Sequence, residues 1–549
     1  MNNYTIGIDY GTSSVRSVIV DCSNGVIVGS SIYNYPHGVN GVMGNKDPNT
    51  ARQHPDDYIE GLKETIKGAI KEANIEKKYI RAIGIDATAS TPIPLDVEGI
   101  PLAFNPDFNN NLSAMAWLWK DHTSVNEANE ITMLAKDIRP HYLTACGGTY
   151  SSEWYWSKIL HCLRNFRDVF DASDSWMELQ DWIPFLLTGN RTSGLCAAGH
   201  KGLYSPSWNG YPDDEFLGRL DKALIKIRTK LPSVAKNLGQ IAGYLNNDWS
   251  KELSLPEGIP VAVGTIDAHA GAIGSGISAG VMVKILGTST CDIAITPITN
   301  KLPEIPGICG IAYESVLPGY YGIEAGQSAV GDIFDWYVNK LQPDEALDID
   351  ELSSLASKIK PGSSGLLALD WNNGNRSILA DPLLSGLLIG TTLQTSVEQI
   401  FIALIEATAF GARMIIERYQ EYDININRVI NCGGIAVKSP LIMQIYADVL
   451  GRSMEISSNE QSCALGAAMA GSVVGGIHKT FEIASDLMIG VNTNIYSPKE
   501  ENQQIYNQLF KLYKQLHNGF GLQKNDENMY NIMKDLIKIR KQVSVGEES

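Results

Sequence analysis

Short apolar runs separated by turn-forming residues occupy the first thirty positions of the chain. Apolar runs at 5–9, 15–20 and 26–30 alternate with the polar turns 11–13 and 24–25. Runs of this length, bounded by glycine and small polar residues, are typical of β-strands. The pattern therefore predicts a three-stranded meander at the start of the chain.

The opening of this pattern recurs in the second half of the chain. Apolar runs at 281–286 and 291–296 flank a second Gly-Thr-Ser turn, which begins at Gly287 as the first begins at Gly11. One such turn alone is an ordinary hairpin connection. Two turns in matching contexts predict two similar domains that face one another across a cleft.

Helical spacing of apolar residues is clearest from Ser396 to Tyr419, which predicts a helix facing a core. Helical periodicity also occurs at 503–517 and 528–542, where Lys, Asn and Gln are frequent. We therefore predict a first domain at 1–277, a second domain at 278–490 and a peripheral helical tail at 491–549.

Length and charge narrow the functional classes. The 549 residues exceed what one hydrophobic core supports, in agreement with two domains. The 61 acidic residues outnumber the 44 Lys and Arg, and a net charge of -17 repels nucleic acid and anionic lipid. We expect no nucleic acid or membrane partner, and the lack of a signal sequence or long apolar stretch favours a cytoplasmic location.

The two Gly-Thr-Ser turns are candidates for binding phosphate. Glycine lets backbone N–H groups approach phosphate oxygens, and the hydroxyl groups add donors. The candidate ATP-binding residues are Gly11, Thr12, Ser13, Gly287, Thr288 and Ser289. Asp9 ends the strand before the first turn and is a candidate for holding hydrated Mg²⁺, with a turn-capping aspartate as the alternative.

Asp267 is the candidate catalytic base. It stands between a predicted strand at 260–263 and a small-residue helix, whose N-terminal dipole favours an ionised carboxylate. An ionised carboxylate in a cleft can accept the proton of an attacking hydroxyl group. The alternative for an isolated aspartate before a helix is an N-cap.

A glycine pair follows a third strand. The apolar run at 428–432 ends in Gly433 and Gly434, and Ser439-Pro440 opens a helix. A flat group such as adenine can lie against such a pair, although glycines are common in turns between strands and helices. We include Lys438 with this pair among the candidate ATP-binding residues.

The order of these segments resembles the sugar kinase, heat-shock ATPase and actin superfamily, and within it the FGGY carbohydrate kinases. Further stretches that carry the resemblance are Ala51–Glu60, Ser151–Trp154, Ala198–Lys201, Gly322–Phe334 and Leu369–Arg376. It spans roughly residues 4 to 480 and leaves mainly the tail uncovered.

The resemblance implies an α/β fold of two actin-like (ribonuclease H-like) ATPase domains that close over MgATP and a ketopentose. The implied reaction phosphorylates the terminal hydroxyl of L-ribulose, in L-arabinose catabolism. By resemblance Ala89, Lys201, Asp267 and Glu324 contact the sugar, and Asp9 and Asp267 contact the metal. Composition alone would make Lys201 and Glu324 solvated surface charges.

Several alternatives remain open at this point. The substrate could be D-ribulose, D-xylulose or ribitol, and the chain could be a non-kinase ATPase related to actin or the heat-shock proteins. The residues do not decide the oligomeric state, with a homodimer as one arrangement.

Overall fold

The structure is a computed structural model that describes residues 3–299, 302, 304–342, 347–492, 494–523 and 529–531. Of the predicted tail helix at 528–542, all but 529–531 lies outside the described residues.

The first half of the chain forms a mixed sheet. The strands of this half are β1 (Tyr4–Tyr10), β2 (Ser14–Asp21), β3 (Ile27–Asn34), β4 (Arg52–Gln53), β5 (Ile80–Ala87), β6 (Pro92–Leu95), β7 (Ala116–Trp117), β8 (Ser175–Glu178), β9 (Ile241–Tyr244), β10 (Pro260–Ala262) and β11 (Thr265–Ile266). Seven of them form one sheet in the order β3-β2-β1-β5-β10-β9, with β11 paired to β5. Strands β1, β2 and β3 pair antiparallel in sequence, so the predicted meander is confirmed.

Helices cover this sheet and extend beyond it. They are α1 (Pro55–Ala73), α2 (Val125–Ile138), α3 (Tyr155–Asn165), α4 (Arg167–Ala172), α5 (Leu179–Thr188), α6 (Leu195–Lys201), α7 (Asp214–Leu220), α8 (Ala223–Lys230), α9 (Asn247–Leu253) and α10 (Asp267–Gly274). Helix α1 buries Leu62 and Ile66 beneath the meander because its apolar residues recur at helical spacing.

The second half forms another seven-stranded sheet. The strands of this half are β12 (Val281–Leu286), β13 (Thr290–Pro297), β14 (Gly310–Tyr313), β15 (Tyr320–Ala325), β16 (Leu367–Leu369), β17 (Leu387–Ile389), β18 (Arg428–Cys432), β19 (Met454–Ile456) and β20 (Ile495–Tyr496). The sheet order is β14-β15-β13-β12-β18-β19-β20. The helices are α11 (Gly331–Trp336), α12 (Ile349–Ala356), α13 (Val397–Glu421), α14 (Gly434–Lys438), α15 (Pro440–Leu450), α16 (Ser462–Val474), α17 (Phe481–Met488) and α18 (Glu500–Gly521). The predicted α/β architecture with two similar halves is confirmed.

Helix α16 joins the two halves. A Cβ atom on Gly7 of β1 would lie 1.9 Å from the Ala464 carbonyl oxygen, and one on Gly84 of β5 would lie 1.7 Å from that of Ala467. Glycine is therefore required on both strands for this close approach. The small residues of α16 serve packing between the two halves.

Helix α13 matches the helix predicted from Ser396 to Tyr419. It is long and apolar enough to span a membrane by length and composition, but 72% of its apolar window is buried inside the protein. Phe401, Ile405 and Phe410 are fully buried in the second core. We therefore interpret α13 as a core helix.

Helix α18 lies in the predicted tail, but the expectation that the tail is peripheral is wrong for this helix. Tyr506, Phe510 and Tyr513 are almost completely buried in the second core. These aromatic residues are spaced by four and three positions, so they share one helical face. Lys, Asn and Gln are frequent on the remaining surface of the helix. Composition alone therefore does not reveal this apolar stripe.

Candidate active site

Three aspartates lie at one edge of the first sheet. Asp9 and Asp86 are directly opposite one another in the parallel pair β1 and β5. Thr265 of β11 is also paired with Asp86, and the chain reaches Asp267 two residues later. Because the carboxyl ends of parallel strands meet at the same edge, all three carboxyl groups belong to one site.

Asp86 is the functional candidate that the sequence reasoning missed. Its side chain is fully buried, and neither carboxylate oxygen has a hydrogen-bond partner within the described residues. Burial, with the nearby charges of Asp9 and Asp267, raises the pKa of Asp86 well above its usual range. The signal was available, because Asp86 ends an apolar strand as Asp9 does.

Asp9 lies at the mouth of this group. Its side chain is 15% exposed, and one carboxylate oxygen is 3.9 Å from Arg16 Nη1. Burial raises the pKa of Asp9, although the charge of Arg16 opposes the shift. Carboxylate oxygens are the ligands that Mg²⁺ prefers, so the donor chemistry of Asp9, Asp86 and Asp267 fits that ion.

Asp267 is the first residue of α10, and the residue at the N-cap position is Ile266. The N-cap interpretation of Asp267 is therefore wrong; its carboxylate accepts a 2.7 Å bond from the adjacent Ala268 N–H. Burial and the charge of Asp9 raise the pKa of Asp267 to about 7. Burial and Asp9 therefore oppose the ionisation of Asp267 that the helix start favours.

A general base is most effective when its pKa lies near the working pH. A value near 7 lets Asp267 be substantially ionised at neutral pH while it still holds a proton strongly. The raised pKa of Asp267 therefore supports its assignment as the candidate base.

Two of the predicted sugar contacts form an ion pair. Lys201 Nζ, at the end of α6, lies 3.1 Å and 3.2 Å from the carboxylate oxygens of Glu324 on β15. Lys201 is only 7% exposed, so the surface-charge interpretation is wrong. Burial opposes ionisation of Glu324, but Lys201 and His269 outweigh it and hold its pKa well below the usual range. The pair connects the two halves of the chain.

Two histidines surround the same carboxylate. His200, His269 and Glu324 offer ligand atoms that lie within 4.8 Å of one another. The ammonium group of Lys201 already contacts Glu324, so a metal ion at this position would meet a positive charge. His200 Nε2 bonds Ser315 Oγ at 2.9 Å. We interpret the histidines as part of the wall of the candidate site around the Lys201–Glu324 pair.

Ala89 follows β5 in the loop 88–91. It is the one residue from 82 to 95 that is not buried. A small residue there leaves room for a ligand at the edge that Asp86 and Asp267 share. Its predicted role as a sugar contact stays a prediction.

Two buried charged residues support this loop. Lys158 Nζ donates to the carbonyl oxygens of Ser90 at 2.7 Å and Leu118 at 2.8 Å. Glu178 accepts hydrogen bonds from Ser90 Oγ and, at 2.6 Å, from Thr91 N–H. Buried charges are stable only when their hydrogen bonds are satisfied. These two residues therefore fix the path of the loop, and sequence reasoning did not identify them.

The first Gly-Thr-Ser turn leaves backbone donors for a ligand. The carbonyl oxygens of Thr12 and Ser13 accept bonds from Gln53 Nε2 at 2.6 Å and Tyr35 N–H at 3.0 Å. No hydrogen bond from the N–H of Thr12 or Ser13 occurs among the described residues. Successive unused N–H groups form an anion-binding concavity.

The second turn is held in the same way. The carbonyl oxygens of Gly287 and Thr288 accept bonds from Gly331 N–H at 3.0 Å and Val330 N–H at 2.8 Å. Thr288 is exposed. The two turns therefore share their sequence, and both are held through their carbonyl oxygens.

The glycine pair lies beside the second turn. Strand β18 runs parallel to β12, so both segments leave the sheet at the same edge. Gly433 has φ of 95°, and a Cβ atom there would lie 2.3 Å from the Leu286 carbonyl oxygen. A Cβ atom on Gly434 would meet no atom within 4 Å, so space is open beside the pair. Lys438 is exposed at the end of α14.

Comparison with known families agrees with this geometry. Residues 4–274 match the N-terminal domain of the FGGY family of carbohydrate kinases, and residues 282–474 match its C-terminal domain. The chain belongs to this family. This FGGY kinase is thus a sugar kinase, which excludes the alternative of a non-kinase ATPase.

Individual relatives cover nearly the whole FGGY kinase. It is 38% identical to a ribulokinase of Shouchella clausii over 100% of this chain and 99% of the relative. It is 40% identical to a ribulokinase of Halalkalibacterium halodurans over 95% of this chain and 96% of the relative. The structure of a xylulose kinase from Rhodospirillum rubrum has a TM-score of 0.78 at 21% identity and covers 94% of this chain and 99% of that one. The latter likeness shows the shared fold.

Proposed function

We propose that this FGGY kinase transfers the γ-phosphate of ATP to the terminal hydroxyl group of L-ribulose and releases ADP and L-ribulose 5-phosphate. Relatives named ribulokinase at 38% and 40% identity support the choice of ribulose. The observation that carries the mechanism is the position of Asp267, whose pKa of about 7 reflects burial, Asp9 and, more weakly, Glu324. The candidate base is therefore close enough to feel the charges of both the metal candidate Asp9 and the proposed sugar contact Glu324.

Asp267 accepts the proton of the sugar hydroxyl as that oxygen attacks the γ-phosphate. Lys201 and Glu324 hydrogen-bond further hydroxyl groups, and Ala89 lines the site. Because Lys201 donates and Glu324 accepts, the pair can recognise a hydroxyl group through both its oxygen and its hydrogen. This fixes the sugar relative to Asp267.

The two Gly-Thr-Ser turns bind the phosphates of ATP from opposite halves of the chain. Adenosine lies against Gly433 and Gly434, where a side chain would otherwise fill the space, and Lys438 is close to it. Mg²⁺, when bound with ATP, neutralises charge on the phosphate oxygens. Asp9 and Asp267 would hold this ion, with Asp86 as an added acidic partner.

The sugar-binding domain spans 1–277 and the nucleotide-binding domain spans 278–490, with the helical tail at 491–549. We also place the enzyme in the cytoplasm, where ATP and a free pentulose are both present.

An ADP-release assay tests the substrate. The purified enzyme is given MgATP with L-ribulose, D-ribulose, D-xylulose, ribitol or glycerol, and kcat/KM is compared. We expect L-ribulose to exceed the other sugars by at least about tenfold, the scale of discrimination from a few hydroxyl contacts. Preference for D-xylulose would overturn the assignment of L-ribulose as substrate. Failure of all five compounds to cause ADP release would overturn the proposed reaction.

A further inference from the structure

A chain of buried hydrogen bonds connects helix α18 to the second Gly-Thr-Ser turn. Tyr513 OH donates to Asp370 Oδ1 at 2.8 Å, and Gln327 Nε2 donates to Asp370 Oδ2 at 2.7 Å. Gln327 then bonds Thr290, which directly follows the turn. Gln327 N–H donates to Thr290 Oγ1 at 2.9 Å, and Thr290 N–H donates to the Gln327 carbonyl oxygen at 3.0 Å.

The amide of Gln327 is the centre of this chain. Besides Asp370, its Nε2 donates to the Thr408 carbonyl oxygen at 2.8 Å, and its Oε1 accepts from Lys284 Nζ at 3.2 Å. Gln327 and Asp370 are 6% and 5% exposed, and Tyr513 is fully buried. Hydrogen bonds in such a dry environment are strong, and leaving one partner unsatisfied is costly. The position of Thr290 is therefore coupled to that of α18.

We propose that Gln327, Asp370 and Tyr513 are positioning residues for the phosphates of ATP, and we call them the turn brace. This inference rests on the proposed binding of ATP phosphates by the turn at Gly287. Backbone donors bind an anion well only when they are held in place before it arrives. The turn brace holds these donors in place by fixing Thr290. Helix α18, which lies outside both FGGY domain matches, therefore contributes to ATP affinity.

The competing explanation is that the Tyr513 hydroxyl only attaches α18 to the second domain. The Tyr513 ring also packs against two phenylalanines: its centroid lies 5.3 Å from the ring centroid of Phe410 and 6.1 Å from that of Phe510. Tyr513→Phe keeps this ring and removes only the link to Asp370. The chain offers a matched control in Tyr506, which is 1% exposed on the same helix and donates at 3.0 Å to Glu406.

The test compares Tyr513→Phe, Tyr506→Phe and the unaltered enzyme. The dissociation constant of MgATP is measured by titration calorimetry without sugar, and the KM values for ATP and for the pentulose are measured by ADP release. We expect Tyr513→Phe to weaken ATP binding about 3- to 10-fold, the effect of one buried hydrogen bond. The KM for the pentulose stays unchanged, and Tyr506→Phe leaves ATP binding unchanged.

Asp370→Asn provides a second variant. Tyr513 and Gln327 donate to different oxygens of Asp370, and asparagine has an acceptor at only one of these two positions. The two present bonds cannot both persist, and we expect an equal or larger loss of ATP affinity. Unchanged ATP affinity in Tyr513→Phe and Asp370→Asn would overturn the turn brace, and so would equal losses in Tyr513→Phe and Tyr506→Phe. Calorimetry measures ATP binding without turnover, so a wrong sugar assignment would leave this test valid.

Discussion

Lys201 Nζ lies 3.1 Å from Glu324 Oε1 in a buried ion pair that connects α6 of the first half with β15 of the second. The sugar contacts proposed for these residues therefore use groups that also hold the two halves together. The proposed function therefore predicts that sugar binding and the relative placement of the halves are coupled through this pair.

Lys201→Met is expected to raise the KM for L-ribulose at least about tenfold, because it removes a charged hydrogen-bond donor. Glu324→Gln should raise it by a smaller factor, because the amide oxygen still accepts a hydrogen bond but carries no charge. ATP affinity should change little. Steady-state kinetics with each substrate varied in turn measures both effects. Lys67→Met is the control, since Lys67 pairs at 2.8 Å with Glu252 on an exposed surface. An equal rise in both KM values would indicate general damage instead of a sugar contact.

Lys158→Met is expected to raise the KM for L-ribulose several-fold and to lower the melting temperature. The variant leaves the carbonyl oxygens of Ser90 and Leu118 without their buried donor. Glu178→Gln should have a smaller effect of the same kind, since its amide oxygen can still accept a hydrogen bond. Kinetics and thermal unfolding together test the assignment. A stability loss without any change in the sugar KM would limit both residues to a structural role.

The pH dependence of turnover follows from Asp267. Its pKa is raised to about 7, and a general base works only after losing its proton, so activity should rise with pH through 7. Below pH 6, kcat/KM for the sugar should fall about tenfold per pH unit. Rates from pH 5.5 to 8.5, with ATP binding measured at each pH, test this. A flat profile below pH 7 would be inconsistent with the assigned base.

Glu406 predicts a pH-dependent stability effect. Burial raises its pKa to about 7, so folding favours its protonated form and the folded state loses stability as the pH rises from 4.5 through 7. Glu406→Gln removes the ionisable group and keeps an acceptor for Tyr506. Urea unfolding should show a larger stability gain at pH 8 than at pH 5. A gain of equal size at both pH values would argue against a buried, protonated Glu406.

The local sequence pattern was enough to predict most of the segments that form the candidate nucleotide site on the second sheet. The repeated Gly-Thr-Ser turns and the glycine pair are contiguous in sequence, and their strands have clear apolar runs. Gly433 needs a positive φ and close contact with Leu286, which the glycine itself signals.

Contacts between distant segments were not predictable in this way. The pairing of Asp9 with Asp86 depends on sheet register, and the ionisation of Asp267 depends on how deeply that register buries it. The links from Tyr513 through Asp370 to Gln327 join three segments that no sequence period relates. Burial of α18 could have been predicted, since its aromatic residues share one face.

The pre-steady-state rate of phosphoryl transfer in Asp267→Asn tests the central claim most directly. Asp248→Asn is the matched control, because Asp248 is an exposed aspartate in the first turn of α9. With L-ribulose and MgATP, Asp267→Asn should react at least about 100-fold more slowly while calorimetry still detects ATP binding, and Asp248→Asn should react normally. Near-normal phosphoryl transfer in Asp267→Asn would remove Asp267 from the mechanism.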